Sequence, residues 1–74
     1  MGLPIRIEVT RDEALVLFEF LSRHLDDGVL AVNDATEQQT LRNLQCLLEK
    51  QLVEPFLAEY DQLLQQARAR MRRS

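Results

Sequence analysis

Cys46 and His24 are the residues best suited to catalysis in this chain, because a thiolate with an imidazole beside it can act as a nucleophile. The chain has one cysteine and one histidine. The helical pattern places His24 at the end of a first predicted helix and Cys46 within a second. A cysteine without an adjacent base is a poor nucleophile, so we interpret Cys46 as incidental. We interpret His24 as a residue favoured by the negative end of its helix.

A metal site would need more ligands than these residues supply. Zinc takes about three or four protein ligands, and His24, Cys46 and the pair Asp26–Asp27 do not make such a set. The acidic pair also begins a stretch similar to a calcium loop, but apolar residues 29–32 stand where an EF-hand needs oxygen ligands. The sequence contains no glycine-rich phosphate loop and no catalytic-triad pattern. We therefore expect no metal, no cofactor and no enzymatic activity.

Charge is divided unevenly along the chain. The formal net charge is −3, and all 12 acidic residues precede residue 68. The residues after that point include four arginines: Arg68, Arg70, Arg72 and Arg73. Phosphate contacts need a cationic surface, so the acidic body disfavours nucleic acid as a partner. Basic side chains stabilise the carboxyl end of a helix, and we expect the arginines to have that role.

Length and composition predict one soluble domain. The 74 residues are 46% hydrophobic and 28% charged, which is typical of a small globular protein. A single cysteine excludes an intrachain disulfide. The longest apolar run, Ala14–Phe18, is too short to cross a membrane, and residues 1–4 show no signal-peptide pattern. We therefore expect a cytoplasmic protein that does not associate with membranes.

Residues 5–9 alternate between apolar and charged side chains, which is the period of a half-buried β-strand. The apolar residues of this run would share one face, and the charged residues would face water. A single strand cannot satisfy its own backbone hydrogen-bonding groups. The short apolar stretch 29–32 could be its partner strand, or it could be an irregular plug against the core, in which case a second chain would supply the partner.

Three helices are predicted after this strand, over residues of about 11–25, 35–52 and 57–71. Thr10 and Glu13 form a capping-box pattern before the first helix, and Pro55 ends the second. The first helix is apolar over most of its surface, so it should lie between the other two. The predicted fold is a single α+β domain over residues 1–74, mostly α, with one N-terminal strand followed by a three-helix bundle.

The start of the second helix carries two overlapping capping patterns. Either Asp34 with Glu37 or Thr36 with Gln39 could supply the cap. Helical spacing also predicts which residues meet at the centre of the bundle. They are Leu17, Phe18, Leu21, Leu44 and Leu48.

Two runs in the chain, Glu13–Leu21 and Leu48–Phe56, are followed by Tyr60 and the pair Leu63–Leu64. Together they resemble a set of short uncharacterised bacterial proteins of unassigned function. The resemblance covers most of the chain, residues 10–70. It implies a small, mostly helical bacterial protein and carries no activity.

The sequence favours a non-enzymatic protein-interaction module that self-associates. A small core with surplus apolar surface indicates a homo-oligomer or a complex with another protein. The candidate interaction surface consists of Ile5, Ile7, Val9, Cys46, Lys50, Val53, Glu54, Phe56 and Leu57. The alternative is a small regulator, toxin-neutralising or promoter-binding, that uses its C-terminal arginines. A third possibility is an enzyme subunit that donates a helix to a larger active site.

Overall fold

This computed structural model describes residues 2–28 and 30–73 of the chain. The described residues contain three α-helices. The helices are α1 (Arg11–His24), α2 (Ala35–Gln51) and α3 (Tyr60–Arg72). A short 3-10 turn, Glu54–Phe56, lies between α2 and α3. The first two helices therefore begin where the sequence predicts and end one residue earlier.

Side-chain caps explain where α1 and α2 begin. Thr10 Oγ1 accepts a hydrogen bond from the Glu13 amide at 3.1 Å, and Glu13 Oε1 accepts one from the Thr10 amide at 2.8 Å. This is the predicted capping box. At α2, Asp34 Oδ1 accepts from the amides of Thr36 and Glu37 at 2.9 and 3.0 Å. Of the two overlapping patterns, the structure uses the one based on Asp34.

Helix α1 lies between the other two helices, as its wide apolar surface predicts. Its buried residues are Ala14, Leu15, Phe18 and Leu21. They meet four buried residues from the rest of the chain: Leu48, Leu52, Leu64 and Ala67. Helices α2 and α3 both pack against α1 and have little direct contact with each other. The core is therefore assembled on α1.

The predicted core centre is right except at Leu44. Phe18, Leu21 and Leu48 are buried, and Leu17 packs against the core while partly exposed. Leu44 is 36% exposed, so its assignment to the centre is wrong. The reason is that α2 packs mainly on α1 alone, which covers only a narrow strip of the apolar stripe on α2.

Polar contacts at the surface show that α2 and α3 both run antiparallel to α1. At the start of α3 the Tyr60 hydroxyl donates to Glu19 at 3.0 Å. Near the end of α3 Arg70 donates two hydrogen bonds of 2.8 Å to Asp12. On the other side of α1, three pairs join residues 22–26, at and just after its end, to residues 38–45 of α2: Leu25 with Gln38, Asp26 with Arg42, and Ser22 with Gln45.

The predicted α+β fold is wrong, because the described residues contain no strand and form an all-α arrangement. Residues 5–9 have no helix, turn or bend, and no described segment is hydrogen-bonded to them. Alternating apolar and charged residues predict an extended chain with two unlike faces. A strand, however, exists only where a second strand supplies the hydrogen bonds. No such partner is present in the described part of the chain.

The described residues of the candidate partner strand, 30–32, do not pair with residues 5–9. Val29 lies outside the described residues. The Val32 amide donates to the Leu30 carbonyl at 3.0 Å, which closes a three-residue turn, and Leu30 is half-buried. A chain folded into such a turn does not offer a regular strand ladder. Residues 30–32 therefore do not supply the partner strand that residues 5–9 would need.

Helix α3 begins later than predicted, at Tyr60 rather than at about residue 57. Pro55 belongs to the 3-10 turn, which ends at Leu57 with an extended backbone of φ −93° and ψ 148°. The Tyr60 amide then donates to the Leu57 carbonyl at 3.1 Å. Two successive short turns therefore take up the residues that were expected to begin the helix.

The core assignment predicts a large loss of stability for Leu21→Ala. Leu21 is 1% exposed, so its truncation should lower the free energy of unfolding by about 2–5 kcal/mol. Leu47→Ala removes the same atoms from a side chain that is 60% exposed. This variant should change the free energy of unfolding by less than about 0.5 kcal/mol. Urea unfolding followed by circular dichroism measures both. Equal midpoints for the two variants would contradict the assigned packing.

The contact between α1 and α3 predicts an unusual tyrosine titration. Burial, and then the hydrogen bond to Glu19, raise the pKa of Tyr60 to about 12. The protonated phenol is thereby favoured in the folded state, so its stabilising effect is fully present below about pH 10 and is lost as the pH rises from there through the folded pKa of about 12.

Tyr60 is the chain's single tyrosine and there is no tryptophan, so ultraviolet absorbance of tyrosinate reports it directly. The folded protein should titrate near 12 and the urea-unfolded protein near about 10. Glu19→Gln should lower the folded value partway, since burial remains. A folded midpoint equal to the unfolded one would show that this contact does not form.

Candidate interaction surface

The N-terminal segment, residues 2–9, is the most exposed apolar part of the described chain. The exposed fraction of its apolar side chains falls toward α1, from 92% at Leu3 through 88% at Ile5 and 80% at Ile7 to 48% at Val9. No residue of the segment forms a hydrogen bond or ion pair with another described residue. An apolar run with unpaired backbone groups is a template for binding another chain.

A second group of exposed apolar residues lies where the segment joins the bundle. Arg11, the first residue of α1, donates to Glu54 from Nε at 2.6 Å and from Nη2 at 2.9 Å. These bonds hold the 3-10 turn against the start of α1, and they lower the pKa of the Glu54 carboxyl. Val53 and Phe56 are 62% and 72% exposed, and Leu57 is also exposed. The turn therefore adds apolar surface beside the segment.

Cys46 and Lys50 lie one turn apart on α2. Both are exposed, and neither has a hydrogen bond or ion pair among the described residues. Two leucines of the same helix, Leu44 and Leu47, are 36% and 60% exposed and were missed by the sequence prediction. Their spacing places them on the apolar stripe or its flank. Their exposure depends on how little of α2 the other helices cover.

The candidate interaction surface divides into three groups. Eight of its nine residues are exposed, and the ninth, Glu54, is half-buried by its contact with Arg11. The turn residues at 53–57 lie beside the start of α1, and Val9 is two residues away from that start along the chain. The two isoleucines of the segment project into solvent, and no described contact joins them to the turn or to the two α2 residues.

The arginine-rich end of α3 is partly engaged within the bundle. Arg70 binds Asp12 through Nε and Nη2, and this hydrogen bonding lowers the pKa of the Asp12 carboxyl. Arg68 is half-buried, whereas Arg72 and Arg73 are exposed. At least one of the four arginines therefore joins two helices, a structural role beyond the expected effect on the helix end.

His24 and Cys46 are not hydrogen-bonded to each other. His24 Nδ1 lies 2.8 Å from Asp27 Oδ2, and its ring meets Phe20 edge-on with centroids 5.1 Å apart. Two shallow concavities of about 480 and 230 Å³ include neither His24 nor Cys46 in their lining. Within residues 2–28 and 30–73, no group of three or more His, Cys, Asp or Glu side chains could hold a metal ion.

Comparisons with protein-family models, with curated proteins and with solved structures give no match for this chain. The resemblance to short bacterial proteins stays a prediction. Among the helices that the structure describes, none has the length and apolar character to cross a membrane.

The pair between Arg70 and Asp12 predicts that the arginines differ in their effect on stability. Arg70→Gln should lower the melting temperature more than Arg72→Gln, because Arg72 has no ion pair in the described part of the chain. Because the pKa of Asp12 is lowered, this stabilisation is present at neutral pH and is lost as the pH falls through that lowered pKa. Melting curves at neutral pH and at about pH 2 measure the difference. The same melting temperature for both variants at neutral pH would contradict the pair.

Proposed function

We propose that this protein is a small non-enzymatic interaction module of the cytoplasm that associates with a second copy of itself. The observation that carries the proposal is the N-terminal segment. Its apolar side chains lie in solvent, and its backbone groups have no hydrogen-bond partner in the described chain. Such a segment binds another chain by strand addition, in which backbone hydrogen bonds and buried side chains both contribute.

The apolar side chains of the segment are large enough to drive association. Full burial of an isoleucine gains roughly 1.5–3 kcal/mol, and Ile5 and Ile7 are both almost fully exposed. Backbone hydrogen bonds add roughly 0.5–1.5 kcal/mol each, while ordering the chain costs about 1–2 kcal/mol per residue. The favourable free energy of burial and hydrogen bonding is similar in size to the cost of ordering the chain, so we expect association that dilution can reverse.

The arrangement of Cys46 and His24 supports the proposal that the protein is non-enzymatic and cytoplasmic. His24 is bound to Asp27, and Cys46 is exposed without a hydrogen bond among the described residues. This arrangement lacks the base that would activate a thiol. A free, exposed thiol is also compatible with a reducing compartment, where cysteines stay unpaired.

The alternative function, a regulator that neutralises a toxin or binds a promoter through the C-terminal arginines, has less support. Arg70 is already bound to Asp12, and all 12 acidic residues lie in the body of the chain. Saturable binding of a labelled DNA duplex at moderate salt, lost on replacing Arg72 and Arg73 with glutamine, would favour this alternative.

Light scattering on a dilution series tests self-association. The wild-type mass should exceed the chain mass of 8.6 kDa at high concentration and approach it on dilution. A double variant, Ile5→Ser with Ile7→Ser, should stay at 8.6 kDa, because it removes exposed apolar side chains without touching the core. Leu47→Ser is the matched control, since it makes an equally polar change at an exposed residue of α2 and should leave association unchanged.

Two results would contradict the proposal. One is a wild-type mass of 8.6 kDa at every concentration. The other is association of the double variant with the wild-type dissociation constant. If Leu47→Ser abolished association instead, the binding surface would lie on α2 and not on the N-terminal segment.

A further inference from the structure

Arg6 and Glu8 are the charged residues of the N-terminal segment, and neither has an ion-pair partner in the described chain. They alternate with the apolar residues Ile5, Ile7 and Val9. Read from either end, this stretch runs apolar, charged, apolar, charged, apolar. Reversing its direction places the basic position on the acidic one. The segment is therefore complementary in charge to a reversed copy of itself.

The length available for backbone pairing is set by the residues on either side. Pro4 has no amide hydrogen to donate to a neighbouring strand. The Thr10 amide is already used, because it donates to Glu13 Oε1 at 2.8 Å in the capping box of α1. Residues 5–9 between them keep free amides, since no hydrogen bond of theirs is present in the described structure.

We infer that two copies of this chain pair through residues 5–9 as antiparallel strands centred on Ile7, with Arg6 of each copy opposite the partner's Glu8. This inference rests on the proposed self-association and adds its register. Only one antiparallel alignment pairs all five residues, 5–9, of one copy with residues 9–5 of the other. It places Ile7 opposite the partner's Ile7 and Ile5 opposite the partner's Val9. The same alignment forms the pair between Arg6 of one copy and Glu8 of the other twice, as two-fold symmetry requires.

The parallel alternative is disfavoured by the same residues. In a parallel in-register pair, Arg6 would lie opposite the partner's Arg6 and Glu8 opposite the partner's Glu8. Like charges directly opposite each other destabilise a pair of strands, and opposite charges stabilise it. An antiparallel register shifted by two residues would place Arg6 opposite the partner's Arg6, or Glu8 opposite the partner's Glu8, and would shorten the paired length from five residues to three.

The antiparallel pair also has a defined apolar face. Ile5, Ile7 and Val9 of both copies would lie on it, away from the charged residues. The exposed Val53 and Phe56 lie beside the start of α1, close to where the segment joins the bundle. They supply apolar surface for this face to pack against.

Charge reversal tests the register. R6E and E8R should each raise the dimer dissociation constant about tenfold at low salt, because each variant places two like-charged pairs across the strands. The double variant R6E/E8R should restore the wild-type value. High salt should reduce these differences, since exposed charges are screened. Analytical ultracentrifugation over a concentration series measures all four proteins.

Disulfide formation gives an independent measure of the same register. In a Cys46→Ser background, Ile7→Cys should form a disulfide-linked dimer under mild oxidation, because opposite Cα atoms in an antiparallel pair lie about 4.5–5.5 Å apart. Ile5→Cys is the matched control and should not form one, because the two copies of residue 5 would lie about 14 Å apart. Ile5→Cys mixed with Val9→Cys should form the linked heterodimer.

The outcomes separate the register from self-association. If the wild type dimerises but the charge variants match it, or if Ile5→Cys links as fast as Ile7→Cys, the register is overturned and self-association stands. A wild type that is monomeric at every concentration overturns both. Weakening by each single change, recovery in the double variant and selective linkage at Ile7→Cys together support the antiparallel pair.

Discussion

Burial of α1 from two sides is the constraint on which this small protein depends. Helix α1 is apolar around most of its circumference, and a single neighbouring helix covers only about one stripe of a helix surface. Helices α2 and α3 therefore both pack on α1 rather than chiefly on each other. Removing either would expose the part of the α1 apolar surface that it covers.

The first turn of α1 sets how the other elements are placed around it. Its neighbouring residues Arg11 and Asp12 form bidentate ion pairs with different partners, Glu54 after α2 and Arg70 near the end of α3. Exposed ion pairs contribute little stability on their own, but paired hydrogen bonds define geometry. Together with the capping box at the same end, they make the start of α1 the best-defined polar part of the bundle.

The N-terminal segment is attached at this same end. Its two central isoleucines are mostly exposed, although the bundle has a core that is well covered. Exposed apolar residues of the 3-10 turn lie beside the start of α1, where the segment joins the bundle. Exposed apolar side chains next to backbone groups that have no partner in the described chain form a surface that a second chain can use, and this is the basis of the proposed function.

The three helices, the capping residues and the central place of α1 could all be predicted from the sequence. Each follows from residues within about four positions of one another: Thr10 with Glu13 at a helix start, Pro55 after a helix end, and apolar side chains at helical spacing. Surplus apolar surface was also predictable from the small size of the core, although only the tertiary structure shows which apolar side chains are exposed. The contacts of the tertiary structure decided the rest.

Only those contacts showed that residues 5–9 have no partner in the described part of the chain, that Leu44 is partly exposed and that Glu54 binds Arg11. A strand needs hydrogen-bonding groups from elsewhere, and an apolar side chain is buried only if another element covers it. Both conditions depend on residues distant in sequence or on a second chain, and no local pattern encodes them.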